Sequence, residues 1–406
     1  MFKRIIVYKV LLSVLLISIS TAVFAADNDK KAYDPTPDVM HHISDAHQFH
    51  IVGNIYIPLL CMAYSETGFF ISLSNAFDYD HELHHSKKAI DGYILFHDQL
   101  MRIKDTSFPK GIIDLTENSH SHGDHEHADE HKGEQGHGKT VSYQGKTYEL
   151  EAAAALQSPG ASWQDFSITK NVFTMILSAL LLVLLFSIIV SSYKKRAGKS
   201  PKGVQSLLEP IIVFLRDEVV KPAIGHKWEK FFPFIMVLFF FILFNNLLGL
   251  IPIFPGGSNV TGNLGVTLVL AVFAFIMTNI NGNGHYWRHV FAMPGVPRFV
   301  LLILTPIEIL GLFIKPATLL IRLFANITAG HVMILSLVSL IFVFSNSGES
   351  IAGAIGGGVV AVPFVFAMNF LELFVAFLQA FIFALLTSLY IGSAVEEHHH
   401  EEGAHH

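Results

Sequence analysis

Hydrophobic and polar positions change rhythm abruptly near residue 170. Before it, apolar residues come in short alternating runs; Phe49 to Leu60 and Gly68 to Leu73 predict strands, with Gly53-Asn54 as a hairpin turn. After it, the runs become long. Val172 to Ser192 is apolar for about the ~20 residues that a helix needs to cross hydrocarbon. It ends in Tyr193-Lys194-Lys195-Arg196, with Lys199 and Lys202 beyond, which marks a cytoplasmic end. Gly203 to Lys221 differs: Leu207, Leu208, Ile211, Ile212 and Leu215 make an apolar face, and Glu209, Arg216, Asp217 and Glu218 supply charge. This pattern predicts an interfacial helix on the cytoplasmic surface. Phe231 to Phe254 and Val266 to Ile280 predict two further crossings joined by a turn at Pro255-Gly256-Gly257.

The run from Phe299 to Phe344 is too long for one upright span. As a single helix it would reach roughly 70 Å, against a hydrocarbon core of ~30 Å. Two helices turning near Lys315-Pro316 or one strongly tilted helix both satisfy it, since membrane helices tolerate proline. Glycines between Gly348 and Gly358 predict a loop, followed by a second long run from Val359 to Ser393.

Composition agrees with a polytopic membrane protein: 51% hydrophobic and 15% charged positions over 406 residues. The net charge of -6 argues against a nucleic-acid partner, and the single cysteine, Cys61, excludes an internal disulfide. Lys3, Arg4 and Lys9, the apolar Val10 to Ile19 and the small residues around Ala25-Ala26 read as a signal peptide over residues 1–26. Residues 27–169 then form a His-rich domain outside the cytoplasm, with residues 117–137 of low complexity and expected to be disordered. The loop with His285, Arg288, His289 and Arg298 is basic, and the turn from Pro255 to Asn263 is uncharged, so the positive-inside pattern holds twice.

Several ionisable groups lie within the apolar runs, where each costs at least ~2.5–3.5 kcal/mol to insert. Glu308, Lys315 and Arg322 are spaced by seven and drift only about 20° per step around a helix. Asn326 falls on the same side and His331 near the opposite one. Glu372 and Gln379 share a face of the last run, with Tyr390 close to that line; Asn245 and Asn246 lie in the far half of an earlier one. Glu308 and Lys315 suit buried ion pairs between helices as well as an ion path. Arg322 holds a permanent charge, which attracts a carboxylate and blocks a passing cation. His331 and Glu372 titrate, which suits proton relay as well as a plain interhelical hydrogen bond.

The stretch Ile321-Arg322-Leu323-Phe324-Ala325-Asn326-Ile327-Thr328-Ala329-Gly330-His331 resembles the signature of the a subunit of F-type ATP synthase. Leu378-Gln379-Ala380-Phe381-Ile382-Phe383 and Asn246-Leu247-Leu248-Gly249-Leu250-Ile251-Pro252 resemble two others, and Glu308 and Lys315-Pro316 lie at matching distances. The resemblance spans roughly residues 172 to 397, within an expected membrane domain of 170–397 and ahead of a cytoplasmic tail over 398–406. It implies an all-α membrane protein of five lipid-embedded helices, both long runs being single tilted helices that form a hairpin. It also implies a stator subunit without catalysis of its own or a cofactor, beside a rotating ring of c subunits and a b-subunit stalk, in a bacterial inner membrane. Arg322 matches the essential fixed charge between two aqueous half-channels, and Asn326, His331, Glu372, Gln379 and Glu308 match its proton path. Lys315, Asn245 and Asn246 complete the polar stripe. Many bacterial members carry Glu where this chain has His331 and His where it has Glu372; here the two are exchanged, as in mitochondrial members.

His120, His122, His125 and His127 lie among carboxylates and offer only a weak metal signal, without fixed spacing. With it goes the alternative function, a secondary transporter or metal-ion permease whose histidine tracts gather a divalent metal. Such a protein needs metal ligands within its helices, and these helices carry a lone arginine with scattered partners.

Overall fold

In the computed structural model the described residues are 44–52, 55–66, 68–80, 85–115, 139–154, 162–196, 198–251, 254–293, 295–345 and 350–396. The signal-like segment, residues 117–137 with His120, His122, His125 and His127, and the tail from 397 lie outside them. The chain divides into two compact units, residues 1–38 with 336–365 and residues 39–335 with 366–406.

The second unit opens with thirteen short strands. They are β1 Gln48–Val52, β2 Ile55–Pro58, β3 Leu60–Ser65, β4 Gly68–Leu73, β5 Tyr79–Asp80, β6 His85–Ser86, β7 Lys88–Ile90, β8 Tyr93–Phe96, β9 Gln99–Ile103, β10 Ile112–Asp114, β11 Thr140–Tyr143, β12 Lys146–Ala152 and β13 Trp163–Asp165. β1 and β2 pair antiparallel, the expected turn at Gly53-Asn54 lying outside the described residues, and β4 covers the expected span. The larger sheet runs β10-β7-β8-β9-β12-β11, and a second sheet runs β13-β3-β4. Most of these strands are too short and mixed to stand out in the hydrophobic pattern. Their turns are plainer: Asp91-Gly92 and Gln144-Gly145 both hold positive φ, which favours two-residue hairpins. Cys61, Ala63, Phe70, Tyr93, Leu95 and Trp163 form one core of the domain. Ile94, Met101, Phe108 and Tyr148 bury the opposite side of β8 and β9.

Helix α1, Lys170–Lys195, leaves directly from this domain. Thr169 caps it by accepting from the Val172 amide. Asp45 accepts from the Thr169 hydroxyl at 2.9 Å and the Asn171 amide at 3.0 Å, which places a carboxylate at the positive end of the helix. Phe49 meets Phe173 and Phe254 edge to face, at 5.5 and 5.2 Å between ring centroids. The β domain therefore shares one end of the bundle with the start of α1 and the turn after Phe254.

The helical part follows the sequence pattern with one correction, in the glycine-rich stretch near residue 351. Residues 203–221 form helical turns of their own, set off from the next helix at Gly225, which holds a φ of 72°. Helix α2, Val204–Phe214, passes through a wider π turn, Leu215–Val220, and short turns into α3, Trp228–Leu250. The apolar stripe faces inward: Leu208, Leu215, Val219 and Val220 are buried in the helical core, while Asp217 pairs with Arg216 and Lys221 at 2.7 Å each. α4, Leu264–Ile280, is followed at a bend of 105° by α5, Gly284–Phe291. α6, Arg298–Phe344, is one helix of 47 residues through Pro306 and Pro316, which removes the alternative of a turn at Lys315-Pro316. α7, Ile351–Val395, begins within the expected glycine loop. Among the described residues, four helices are long and apolar enough to cross a membrane, or five when α4 and α5 count as one broken span.

In the first unit the glycines are helical because they let α7 approach α6. A Cβ on Gly353 would strike the Phe344 carbonyl, and one on Gly357 would stand 3.1 Å from Phe344 Cβ. Ser350 caps the start of α7 by accepting from the Gly353 amide at 3.1 Å.

Burial pushes the Cys61 thiol up to about 12, helped by the Asp165 charge. The thiolate is therefore scarce at neutral pH, and Cys61 is expected to resist maleimide in the native protein and to react once it is unfolded in denaturant. Rapid native labelling, followed by mass spectrometry, would contradict this packing.

Candidate functional site

Helix α6 presents two different faces. Leu319, Leu323 and Ile327 recur every four residues and are buried, and His331 continues that line. Arg322 lies one step round, half-buried, with Asn326 exposed one turn further on. Ile321, Ala325, Ala329 and Met333 are exposed beside them. Among the described residues, Arg322 has no carboxylate within ion-pair distance. Glu308, Lys315 and Arg322 do not pair with one another, since seven residues of helix separate their backbones by ~10 Å.

His331 meets Glu372 of α7, with Nδ1 2.7 Å from Oε1. Neither atom has an aligned hydrogen bond, so the two are in close polar contact with the ring N–H off the line of approach. Gly330 makes the approach possible, and Gly249 admits the neighbouring turn. A Cβ on Gly330 would stand 2.9 Å from Glu372 Oε1. One on Gly249 of α3 would stand 2.9 Å from the Ser258 carbonyl and 3.7 Å from His331 Nε2.

Around this pair lie further polar groups. Asn246 donates to the Ala376 carbonyl at 3.1 Å, one turn after Glu372, and accepts from the Thr261 hydroxyl at 2.6 Å. Asn245 donates back to the Phe241 carbonyl at 2.8 Å, and its Oδ1 is buried without a partner, as is Ser258 Oγ. Ser258, Asn259 and Thr261 are all buried, although their sequence reads as a plain uncharged turn. Their small size and polarity were the available signal. This cluster lies at the β-domain end, because the same turn follows Phe254.

A second polar group stands further along the helices. The Lys315 ammonium sits over the Tyr390 ring, 5.6 Å from its centroid. A cavity of about 10 Å³ beside it is lined by Thr278, Asn279, Tyr286, Lys315 and Tyr390, among others. That is about the room needed by one water. The Tyr286 hydroxyl donates to Asn279 Oδ1 at 3.1 Å. None of Thr278, Asn279 and Tyr286 stood out in the sequence. Glu308 is half-buried and Gln379 is buried, and neither joins an ion pair among the described residues.

The contacts 331 with 372 and 315 with 390 run in opposite directions, so α6 and α7 are antiparallel here. Along α6, Arg322 stands ~14 Å from the level of His331 and ~10 Å from that of Lys315. A fixed cation therefore lies between two polar clusters along α6, and its charge is felt at Tyr390 of the second.

The ATP synthase A chain family matches residues 172–392. A second family, described as a domain of unknown function (DUF8433), matches residues 38–115. The strand order shows that this second match ends before its sheet is complete, since β12 pairs with β9. The chain is 44% identical over 245 residues to the ATP synthase subunit a 2 of Chlorobaculum tepidum, covering 59% of this chain and 66% of that one. It is 43% identical over 248 residues to the ATP synthase subunit a of Chlorobium phaeobacteroides strain BS1, covering 59% and 70%. For that of Myxococcus xanthus it is 39% identical over 249 residues, covering 59% and 77%.

Gly249→Ala is expected to lower stability by about 1–3 kcal/mol, because the added methyl meets backbone. Gly330→Ala meets only the end of a side chain and should cost less. Thermal unfolding of the two purified variants checks this order; a reversed order would count against the glycine-lined pocket.

Proposed function

The chain belongs to the ATP synthase A chain family, a multi-pass membrane component of the ATP synthase, and on that premise we propose that Arg322 is its fixed charge in proton translocation. The protein is then the stator subunit beside a ring of c subunits, with a b-subunit stalk as a further partner. The family match leaves the permease reading without support.

One observation carries the proposal. Arg322 is half-buried, has no carboxylate of its own among the described residues, and lies between two polar clusters. A ring carboxylate passing within ~4 Å would gain on the order of ~4 kcal/mol at an effective dielectric of 20. That is enough to favour its ionised form and so to release its proton on one side. The same permanent charge repels a proton moving straight from one cluster to the other. Exposed Ile321, Ala325, Asn326 and Ala329 around it offer a shallow surface for the ring.

His331 and Glu372, with Asn245, Asn246 and the buried turn of Ser258 to Thr261, form the half-channel from the β-domain end. Buried polar atoms without protein partners are stable at that depth only when water or a transient partner reaches them. Lys315 and Tyr390, with Gln379 and Glu308 on the same helices, belong to the path at the other end. The β domain is periplasmic and the C-terminus cytoplasmic. Supporting this, α1 starts at the β domain and ends at Lys194 and Lys195. Residues 203–221 skirt the cytoplasmic surface on their charged side. Residues 27–169 and 170–397 act as separate functional modules, the first carrying no part of the channel.

Arg322→Ala is expected to abolish ATP-driven proton pumping in reconstituted vesicles while the complex still assembles, and normal pumping would overturn the assignment. For the exchanged pair, His331→Glu with Glu372→His together should retain more pumping than either change alone. A double variant no better than the singles would mean that the two groups do not act as a unit.

A further inference from the structure

The sheet β13-β3-β4 is apolar on both faces, and among the described residues only one face is covered. Inward, Cys61, Ala63 and Phe70 pack into the domain core. Outward, the strands place side chains in three cross-strand rows. Tyr64 pairs with Phe69 and Gln164, and Met62 pairs with Ile71. Phe166 joins the second row, its amide donating to the Met62 carbonyl at 2.8 Å. Leu60 pairs with Leu73, and the Ile168 amide donates to the Leu60 carbonyl at 2.8 Å. Every position in these rows except Gln164 is apolar, and Gln164 stands in the row farthest from α1. Phe69 is 59% exposed, Ile71 57%, Tyr64 56% and Phe166 54%.

A solvated sheet face alternates with polar residues. A contiguous aromatic and aliphatic patch marks a surface that something covers. Two observations select the occupant. The first is continuity: Phe166 to Ile168 extend along β3 and reach Lys170, the first residue of the membrane helix α1, with nothing between. At ~3.3 Å per residue, the Leu60 row stands ~7 Å from that helix start, and the Tyr64 row only ~13 Å further. The second is composition. β3 and β4 contain no charged residue, and their outward side chains are Tyr, Phe, Ile, Leu and Met, the types that settle in the interfacial layer of a bilayer.

We propose that this sheet face lies against the lipid headgroup layer where α1 enters the membrane, so that the β domain rests on the bilayer as well as on the bundle. The inference needs only that α1 crosses the membrane and does not depend on the roles given to Arg322 or His331. It makes the domain a membrane-seated clamp that holds the α1 start and the channel-side turn at a fixed depth.

The test is nitroxide labelling of Phe69→Cys, Ile71→Cys and Leu73→Cys in the assembled complex, reconstituted into phosphatidylcholine–phosphatidylglycerol vesicles. Native Cys61 is buried and stays unlabelled. Lys104→Cys, whose side chain is 64% exposed, is the water-facing control. The expected result is a several-fold higher ratio of oxygen to nickel-chelate collisions at the three sites than at position 104, rising from 69 to 73 as α1 is approached. Chelate access equal to that of the control would overturn the proposal, because the face would then be in water. Labels reached by neither collider would also overturn it, because another protein surface, a second copy or another segment of this chain would cover the face.

Discussion

A polar group at hydrocarbon depth has no water to fall back on, and most of this structure is arranged around that constraint. A lone charge there costs several kcal/mol, so it persists only where protein, water or a moving partner answers it. His331 and Glu372 answer each other across two helices, and Asn246 ties the same stretch of α7 to the buried turn through Thr261. Arg322 has no such answer within the described residues of the chain. A permanent cation left half-exposed between two polar clusters is an incomplete electrostatic arrangement, which in the proposed mechanism an arriving carboxylate completes.

Close approach makes these contacts possible, and small residues permit it. Gly330 leaves room for the Glu372 carboxylate, and Gly249 leaves room for the turn that carries Ser258. Gly392 does the same where the end of α7 meets the Ala223 carbonyl. In lipid, helices gain little by hiding apolar surface from each other, so fine packing and interhelical polar contacts decide how they associate. The polar clusters and the glycines are therefore two parts of one arrangement.

Under the proposed seating on the bilayer, the β domain meets a different solvent on each side. Its core is ordinary, built from aromatic and aliphatic side chains between sheets. Its junction with α1 is polar and capped by Asp45, with the rings of Phe49, Phe173 and Phe254 locking the two together. A rigid attachment here has mechanical value, since the same end carries the turn that lines the His331 cluster.

Much of this was legible in the residues alone. Long apolar runs mark membrane helices because backbone must satisfy itself in lipid. Buried charges such as Arg322 stand out because they are costly. The residues left other points open. Pro316 permits either a turn or an unbroken helix, and only the structure decided for the helix. Gly353 and Gly357 read as a loop, yet they are helical because a neighbouring helix needs the space. The short strands were hidden because pairing partners far apart in the chain, such as β9 with β12, stabilise them more than their own pattern does. The meeting of His331 with Glu372 depends on the register of two antiparallel helices, which no local spacing encodes. Solvent preference acts residue by residue and so is written along the chain; contacts between distant segments depend on shape, and exist only once the chain has folded.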